Sequence, residues 1–323
     1  MKGTKAAAIL AAIMMTLSGC GSTDSQSSES TSQPAASQAA ESNSLPESEE
    51  ETEEKGMNEK YDALITEMPP EGYDKEREGV TYPKFEKKMY FSQTAGRDTR
   101  VNILLPPNYD ESKKYPVLYI LHGFYDTEEW MARDIVGLSR ILTNLQLDGE
   151  AEEMIVVLPY IFCSERLEYT TGMDAENCLA YDNFVNDLET DLMPFIKDNY
   201  SIAEGRENTA VTGFSMGGRE SLFIGCTHPE QFGYIGAVCP APGLAPGQLQ
   251  PEQLSFDEDK EPYALLISSS KSDGVVGSFP DTYRGYFEKN GEPFLSHVMQ
   301  KTGHDHSSVK PHLYNLFRIL FKG

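Results

Sequence analysis

Positive charge is scarce in this sequence. Its 27 lysines and arginines stand against 51 aspartates and glutamates, a formal net charge of −24. So acidic a surface excludes nucleic acid or an anionic membrane face as the main partner, since both are held by clustered basic side chains. Cysteine is sparse as well. The 5 cysteines and 6 histidines fall at no zinc-binding spacing, so no metal site is expected. The one long apolar run, residues 6–17, is too short to cross a bilayer as a mature helix. No internal repeat is evident. What remains is a chain of 323 residues, 39% hydrophobic, with material for one large core or two small ones.

The first twenty residues read as a targeting segment. Lys2 and Lys5 precede the apolar stretch, and small residues follow it. The segment ends Leu17-Ser18-Gly19-Cys20, which resembles the bacterial lipobox. That resemblance implies a lipoprotein signal peptide over 1–20, with Cys20 carrying a diacylglycerol as the mature N-terminus. At about 0.8 kcal/mol per buried CH₂, two or more acyl chains hold a protein stably on a membrane. The expected location is the extracellular face of the bacterial cell membrane. Residues 21–60 are Ser, Glu, Gln, Ala and Pro with almost no large apolar side chain. Such a composition does not offset its own ordering entropy, and it predicts a disordered linker spanning on the order of 35 Å. Residues 61–323 form the expected folded domain.

Within that domain, 84–92 and 99–105 read as two strands joined across Thr94-Ala95-Gly96-Arg97, an antiparallel hairpin. Residues 117–121 are a continuous apolar run of the kind buried on both faces of a parallel sheet. Helix and strand then alternate. A helix is predicted over 135–147 and a strand over 154–158. A long amphipathic helix follows over 181–199, with Phe184, Val185, Leu188, Leu192, Phe195 and Ile196 on one face. Further strands are predicted over 209–212, 235–238, 263–268 and 294–299, and a helix over 311–321 closes the chain. This order predicts a mostly parallel, doubly wound α/β sheet of about eight strands, with helices on both faces and the active site at the carboxyl ends of the strands. Cys163 and Cys178 share one exposed-looking loop and would be the pair to form a disulfide, if one forms. Cys226 and Cys239 are expected as buried free thiols.

Six residues organise the chemistry: Gly213-Phe214-Ser215-Met216-Gly217-Gly218. A short apolar run precedes them and a helical segment follows, which is the context of a G-x-S-x-G nucleophile elbow. The turn forces Ser215 into a strained conformation, so the positions two before and two after it must be tiny, and both are glycine. A Gly-rich turn whose serine merely caps a helix has the same local sequence. Partners downstream in the order Ser, Asp, His decide between the two.

A serine hydroxyl needs a base to take its proton, and the base needs a carboxylate to hold its tautomer. His304 lies just past the last predicted strand, where a loop can fold back over the elbow. His306 is two residues further along, His297 sits inside a strand, His228 at a helix end and His312 on the last helix. For the acid, Asp273 follows the strand over 263–268; Asp281 is the rival, though it reads as a helix N-cap. The oxyanion requires two backbone N–H groups. Met216 supplies one, and Phe124, in the loop His122-Gly123-Phe124, is chosen for the second. His122 is then structural. Trp130, Met131 and Phe162 are candidates for the wall of an acyl pocket, core packing being the competing role.

The strand and loop 118–123, the elbow with Arg219-Glu220-Ser221, the segment Phe232-Gly233-Tyr234-Ile235-Gly236-Ala237 and Gly303-His304-Asp305 together resemble the esterase D/feruloyl esterase branch of the α/β-hydrolases, more narrowly carbohydrate esterase family 1. Residues 184–188 and 199–201 are similar to feruloyl esterase modules attached to bacterial xylanases. The resemblance implies an α/β-hydrolase fold and removal of feruloyl or acetyl groups from xylan or its oligosaccharides by a Ser-His-Asp mechanism without a cofactor. Two departures occur: Thr302-Gly303 where Gly-Gly is usual before the histidine, and Ser307-Ser308 where an aromatic commonly follows. Siderophore esterases and acyltransferases share the scaffold, and a ligand-capturing lipoprotein is the non-enzymatic alternative; the intact Ser, Asp, His order weighs against the last.

Overall fold

The chain enters its sheet through a hairpin. Strands β1 (Glu86–Ser92) and β2 (Arg97–Leu104) pair antiparallel, with Glu86 opposite Ile103 and Ser92 opposite Arg97. These are features of a computed structural model describing residues 61–243 and 249–322. The expected signal peptide over 1–20, with Cys20, and the expected linker over 21–60 therefore lie outside the described residues. Six more strands follow: β3 (Val117–Leu121), β4 (Ile155–Pro159), β5 (Thr209–Phe214), β6 (Tyr234–Val238), β7 (Ala264–Ser270) and β8 (Leu295–Met299). Their order across the sheet is β1-β2-β4-β3-β5-β6-β7-β8. β2 meets β4 antiparallel, and every pairing from β4 to β8 is parallel. The expected doubly wound sheet of eight strands is the one observed.

Every residue of β3 to β7 is buried, because helices cover both faces and neither side of the pleat meets water. Successive residues point to opposite layers. Leu118 and Ile120 belong to one cluster with Ile141, Leu142 and Leu145 of a helix over Leu138–Leu147 and Val309, Leu313 and Phe317 of the last helix. Val117, Tyr119 and Leu121 belong to the opposite cluster, with Tyr181, Phe184, Leu188, Leu192 and Ile196. Each such side chain contributes about 1.5–3 kcal/mol by leaving water. The helices are α1 (Glu129–Ala132), α2 (Leu138–Leu147), α3 (Ala175–Asp182), α4 (Phe184–Asp187), α5 (Met193–Asn199), α6 (Met216–Thr227), α7 (Phe279–Asn290) and α8 (His306–Phe317). None of the described helices is long and apolar enough to cross a membrane.

Two predicted helices differ from those observed. The single helix over 181–199 is a chain of α3, α4, a π turn at Leu188–Leu192 and α5. It starts early because Asp174 caps α3, its side chain accepting from Asn177 N–H at 2.9 Å. The π turn has a physical use. Phe184, Leu188, Leu192 and Ile196 recur every four residues, and an ideal α-helix of 3.6 per turn would rotate that stripe off the sheet. A wider turn brings it back. The same turn presents Asp191 to Gln93, whose N–H and Nε2 both donate at 2.8 Å. The last helix begins at His306, five residues before the prediction, because Asp305 caps it through Ser307 N–H at 2.8 Å. Pro311 is carried inside it.

The cysteine expectation divides. Cys163 and Cys178 are free and buried: the loop between them is exposed as expected, but both thiols turn inward and no disulfide joins them. Cys226 and Cys239 are free and buried as expected.

Candidate active site

β5 ends at Phe214 and α6 begins at Met216, which leaves Ser215 alone at the bend with φ 56° and ψ −113°. A side-chain-bearing residue occupies that region only under constraint. The constraint is close packing. A Cβ on Gly213 would lie 2.4 Å from the carbonyl carbon of Gly217, and one on Gly217 would lie 2.3 Å from Leu121 O. With hydrogen at both positions the helix can approach the end of β3. Backbone bonds then pin the turn: Ser215 N–H donates to Val238 O at 3.0 Å, and Ala241 N–H to Ser215 O at 2.9 Å.

The loops that follow β7 and β8 converge on this bend. His304 Nε2 lies 2.9 Å from Ser215 Oγ, and His304 Nδ1 lies 2.7 Å from Asp273 Oδ2. The other carboxylate oxygen, Asp273 Oδ1, accepts from Val275 N–H at 2.8 Å and Val276 N–H at 3.2 Å. Burial acts to raise the Asp273 carboxyl, but the His304 hydrogen bond and the two backbone donors outweigh it and hold the group below its ordinary range. An ionised carboxylate can only accept, so Nδ1 carries the ring proton and Nε2 is free to take the serine's. The geometry is that of a nucleophile, a base and an orienting acid.

Short polar side chains hold the histidine loop. Ser270 Oγ donates to Thr302 O at 2.6 Å, Gly303 N–H donates to Ser307 Oγ at 2.9 Å, and Ser308 Oγ lies 2.6 Å from Gly303 O. Ser307 and Ser308 thus brace the loop. Beneath them Cys239 Sγ, Asp273 and His304 place their donor atoms within 4.8 Å of one another. That trio could surround an ion by distance alone. Both Asp273 oxygens are already engaged, however, and burial pushes the Cys239 thiol up, which keeps it protonated and a poor ligand.

The remaining sequence candidates separate cleanly. His306 is the first residue of α8, and His228 follows the last turn of α6. His297 and His312 are buried and share Ser268 Oγ, at 3.0 and 2.7 Å. Asp281 corrects an expectation: Ser278 is the N-cap of α7, and Asp281 sits inside the first turn, paired with Arg284 at 2.6 Å. His122 is structural, as read. Its Nε2 accepts from Ile161 N–H at 3.0 Å, its Nδ1 lies 2.8 Å from Gly123 O, and burial lowers it to about 4.

For the oxyanion donors, Met216 opens α6 and its N–H has no intrahelical acceptor. Phe124 follows Gly123, on which a Cβ would lie 3.5 Å from Ser215 Cβ. The three pocket candidates differ in their surroundings. Met131 is buried in the core cluster of α2 and α8, because the inner side of α1 faces that layer. Phe162 is buried edge-on to Tyr181, ring centroids 5.3 Å apart. Trp130 stacks on Phe214 at 5.1 Å, and Phe214 in turn contacts the His304 ring at 4.5 Å, so the indole supports the site from below. Sequence reasoning named Ser307, Ser308 and Cys239 without placing them beside the catalytic histidine, and it missed Ser270 and Asp126. Short polar residues in loops carry no periodic signal, and only proximity in space reveals them.

This site and fold define an α/β-hydrolase, and comparisons with known proteins supply the family. A model of the putative esterase family matches residues 92–268. The chain therefore belongs to this esterase family, a class of carboxylic-ester hydrolases. It is 36% identical to a CE1 ferulic acid esterase from Anaeromyces mucronatus solved with ferulic acid, with a TM-score of 0.75, covering 80% of this chain and 97% of that one. It is 28% identical over 254 residues to an endo-1,4-beta-xylanase/feruloyl esterase of Xylanibacter ruminicola, and 31% over 134 residues to endo-1,4-beta-xylanase Y of Acetivibrio thermocellus. The chain spans 32% of the first of these relatives and 11% of the second; the matches cover 76% and 38% of the chain itself.

Proposed function

We propose that the protein is a serine esterase that removes feruloyl or acetyl groups from xylan or its oligosaccharides. Ser215 Oγ attacks the ester carbonyl while His304 Nε2 takes its proton. Phe124 and Met216 N–H groups receive the oxyanion. Collapse expels the sugar oxygen, which leaves with the proton from His304, and the acyl group stays on Ser215. Water repeats the sequence, its proton passing to His304, and the free acid departs with Ser215 restored. Asp273 holds the His304 tautomer throughout. In this scheme the enzyme works outside the cell, tethered through a lipid on Cys20, an assignment that rests on the sequence of residues 1–20.

The single observation that carries the proposal is the continuous contact Asp273–His304–Ser215 at 2.7 and 2.9 Å, in a chain 36% identical to a ferulic acid esterase. Release of ferulate from a feruloylated arabinoxylan oligosaccharide and of acetate from acetylated xylan, measured side by side, tests it. The expected result is turnover of at least one that disappears in Ser215→Ala. Full activity in that variant, or turnover of neither ester by the wild type, contradicts the proposal. Metabolic labelling with a fatty-acid analogue, lost in Cys20→Ser, tests the anchor.

A further inference from the structure

Asp126 lies outside the three residues that make the catalytic contact, yet it faces the same space. It sits in the loop between β3 and α1, at the end of a turn closed by its own N–H donating to Gly123 O at 3.2 Å. Tyr125 within that turn has φ 64°, a conformation that costs a non-glycine residue on the order of 1 kcal/mol or more and fixes where the next side chain points. A methyl group added at Gly123 would stand 2.9 Å from Asp126 Oδ2 and 3.5 Å from Ser215 Cβ. The carboxylate and the nucleophile thus border one small volume, which glycine leaves open.

Three further features bear on what the carboxylate does. It is only half-buried, so a ligand can reach it. Burial pushes it up to about 6, while the charges of Arg133 and His304 pull the other way, and no hydrogen bond contributes. In its ionised form it can only accept. Chemistry assigns the partner: of the two parts of an ester bound at Ser215, the departing sugar carries hydroxyl donors next to the scissile bond, whereas a feruloyl or acetyl group carries none there.

We infer that Asp126 accepts a hydrogen bond from a hydroxyl of the departing sugar and so selects polyol leaving groups over simple alkyl ones. The inference rests on the proposed ester hydrolysis and adds a specificity residue to it. A methyl ester offers Asp126 nothing to bind, whereas a sugar hydroxyl adjacent to the scissile oxygen supplies a donor to a charge that finds none among the described residues. Hydrogen bonds to charged groups are the stronger ones.

The test is a ratio of specificity constants. kcat/KM is measured for a feruloylated arabinoxylan oligosaccharide and for methyl ferulate, and in parallel for an acetylated xylo-oligosaccharide and methyl acetate. Wild type, Asp126→Asn and Asp126→Ala are compared. In both variants the sugar-to-methyl ratio is expected to fall about 10- to 100-fold. Because each ratio comes from one protein sample, a partly misfolded variant does not distort it. An unchanged ratio overturns the inference even if both rates drop, since Asp126 would then act through His304 or the loop. A wild type that shows no preference for the sugar ester overturns it too. Should the wild type cleave acetyl but not feruloyl esters, the feruloyl part of the functional proposal fails while the acetyl pair still judges Asp126.

Discussion

His304 Nε2 stands 2.9 Å from Ser215 Oγ, although 89 positions separate the two residues in the chain. Parallel strands make this possible, because each returns its carboxyl end to the same edge of the sheet. The contact depends on one ring tautomer, and Asp273 imposes it. Asp273→Asn can donate to Nδ1 as well as accept from it, so the ring is free to protonate Nε2 and lose its grip on the serine proton. The expected loss in kcat is on the order of 10⁴-fold with KM little changed, measured on an aryl acetate. A loss below tenfold would mean that Asp273 is not the orienting acid.

Gly217 and Gly285 provide a contrast in what one methyl group does. At Gly217 the added Cβ would meet Leu121 O at 2.3 Å, whereas at Gly285, exposed in α7, it meets nothing within 4 Å. Gly217→Ala is expected to lower stability on the order of 3 kcal/mol and to move the loop carrying Phe124, with kcat falling alongside. Gly285→Ala is expected to raise stability by about 0.5–1 kcal/mol through helix propensity. Denaturation midpoints in urea check both signs.

Three histidines are buried: His122, His297 and His312. Burial lowers His122 to about 4, His312 to about 3, and His297 in the same direction. Unfolded, each takes a proton near pH 6.5. Below that pH the unfolded chain binds more protons than the folded one, so stability is present above about 6.5 and is lost as pH falls. The slope per histidine reaches about 1.4 kcal/mol per pH unit. Urea unfolding at pH 7, 6 and 5 should show a shallower decline in His312→Asn than in the wild type; parallel declines would contradict the assignment.

The four described cysteines are all free and buried. Burial raises the thiols, Cys163 to about 12, so little thiolate is available to react. Native protein is expected to leave Cys163, Cys178, Cys226 and Cys239 unmodified by an aromatic disulfide reagent, and denatured protein to expose all four. A melting temperature lowered by reductant would instead point to a disulfide.

Much of this protein was decided by local sequence. Runs such as Val117–Leu121 can only be strands covered on both sides, and the spacing of Gly213, Ser215 and Gly217 dictates a sharp bend with the serine at its tip. Both follow from short-range sterics and burial, which act on neighbours in the chain. The tertiary structure decided the rest. A stripe repeating every four residues from Phe184 became a π turn because the sheet required it to stay facing inward. Cys163 and Cys178 were buried rather than bridged. Trp130 was set against Phe214 and Met131 into the core layer. Asp126 acquired a place beside Ser215 only because a turn with a strained tyrosine points it there. Such outcomes depend on which distant surfaces meet, and a single chain read in order carries no record of those distances.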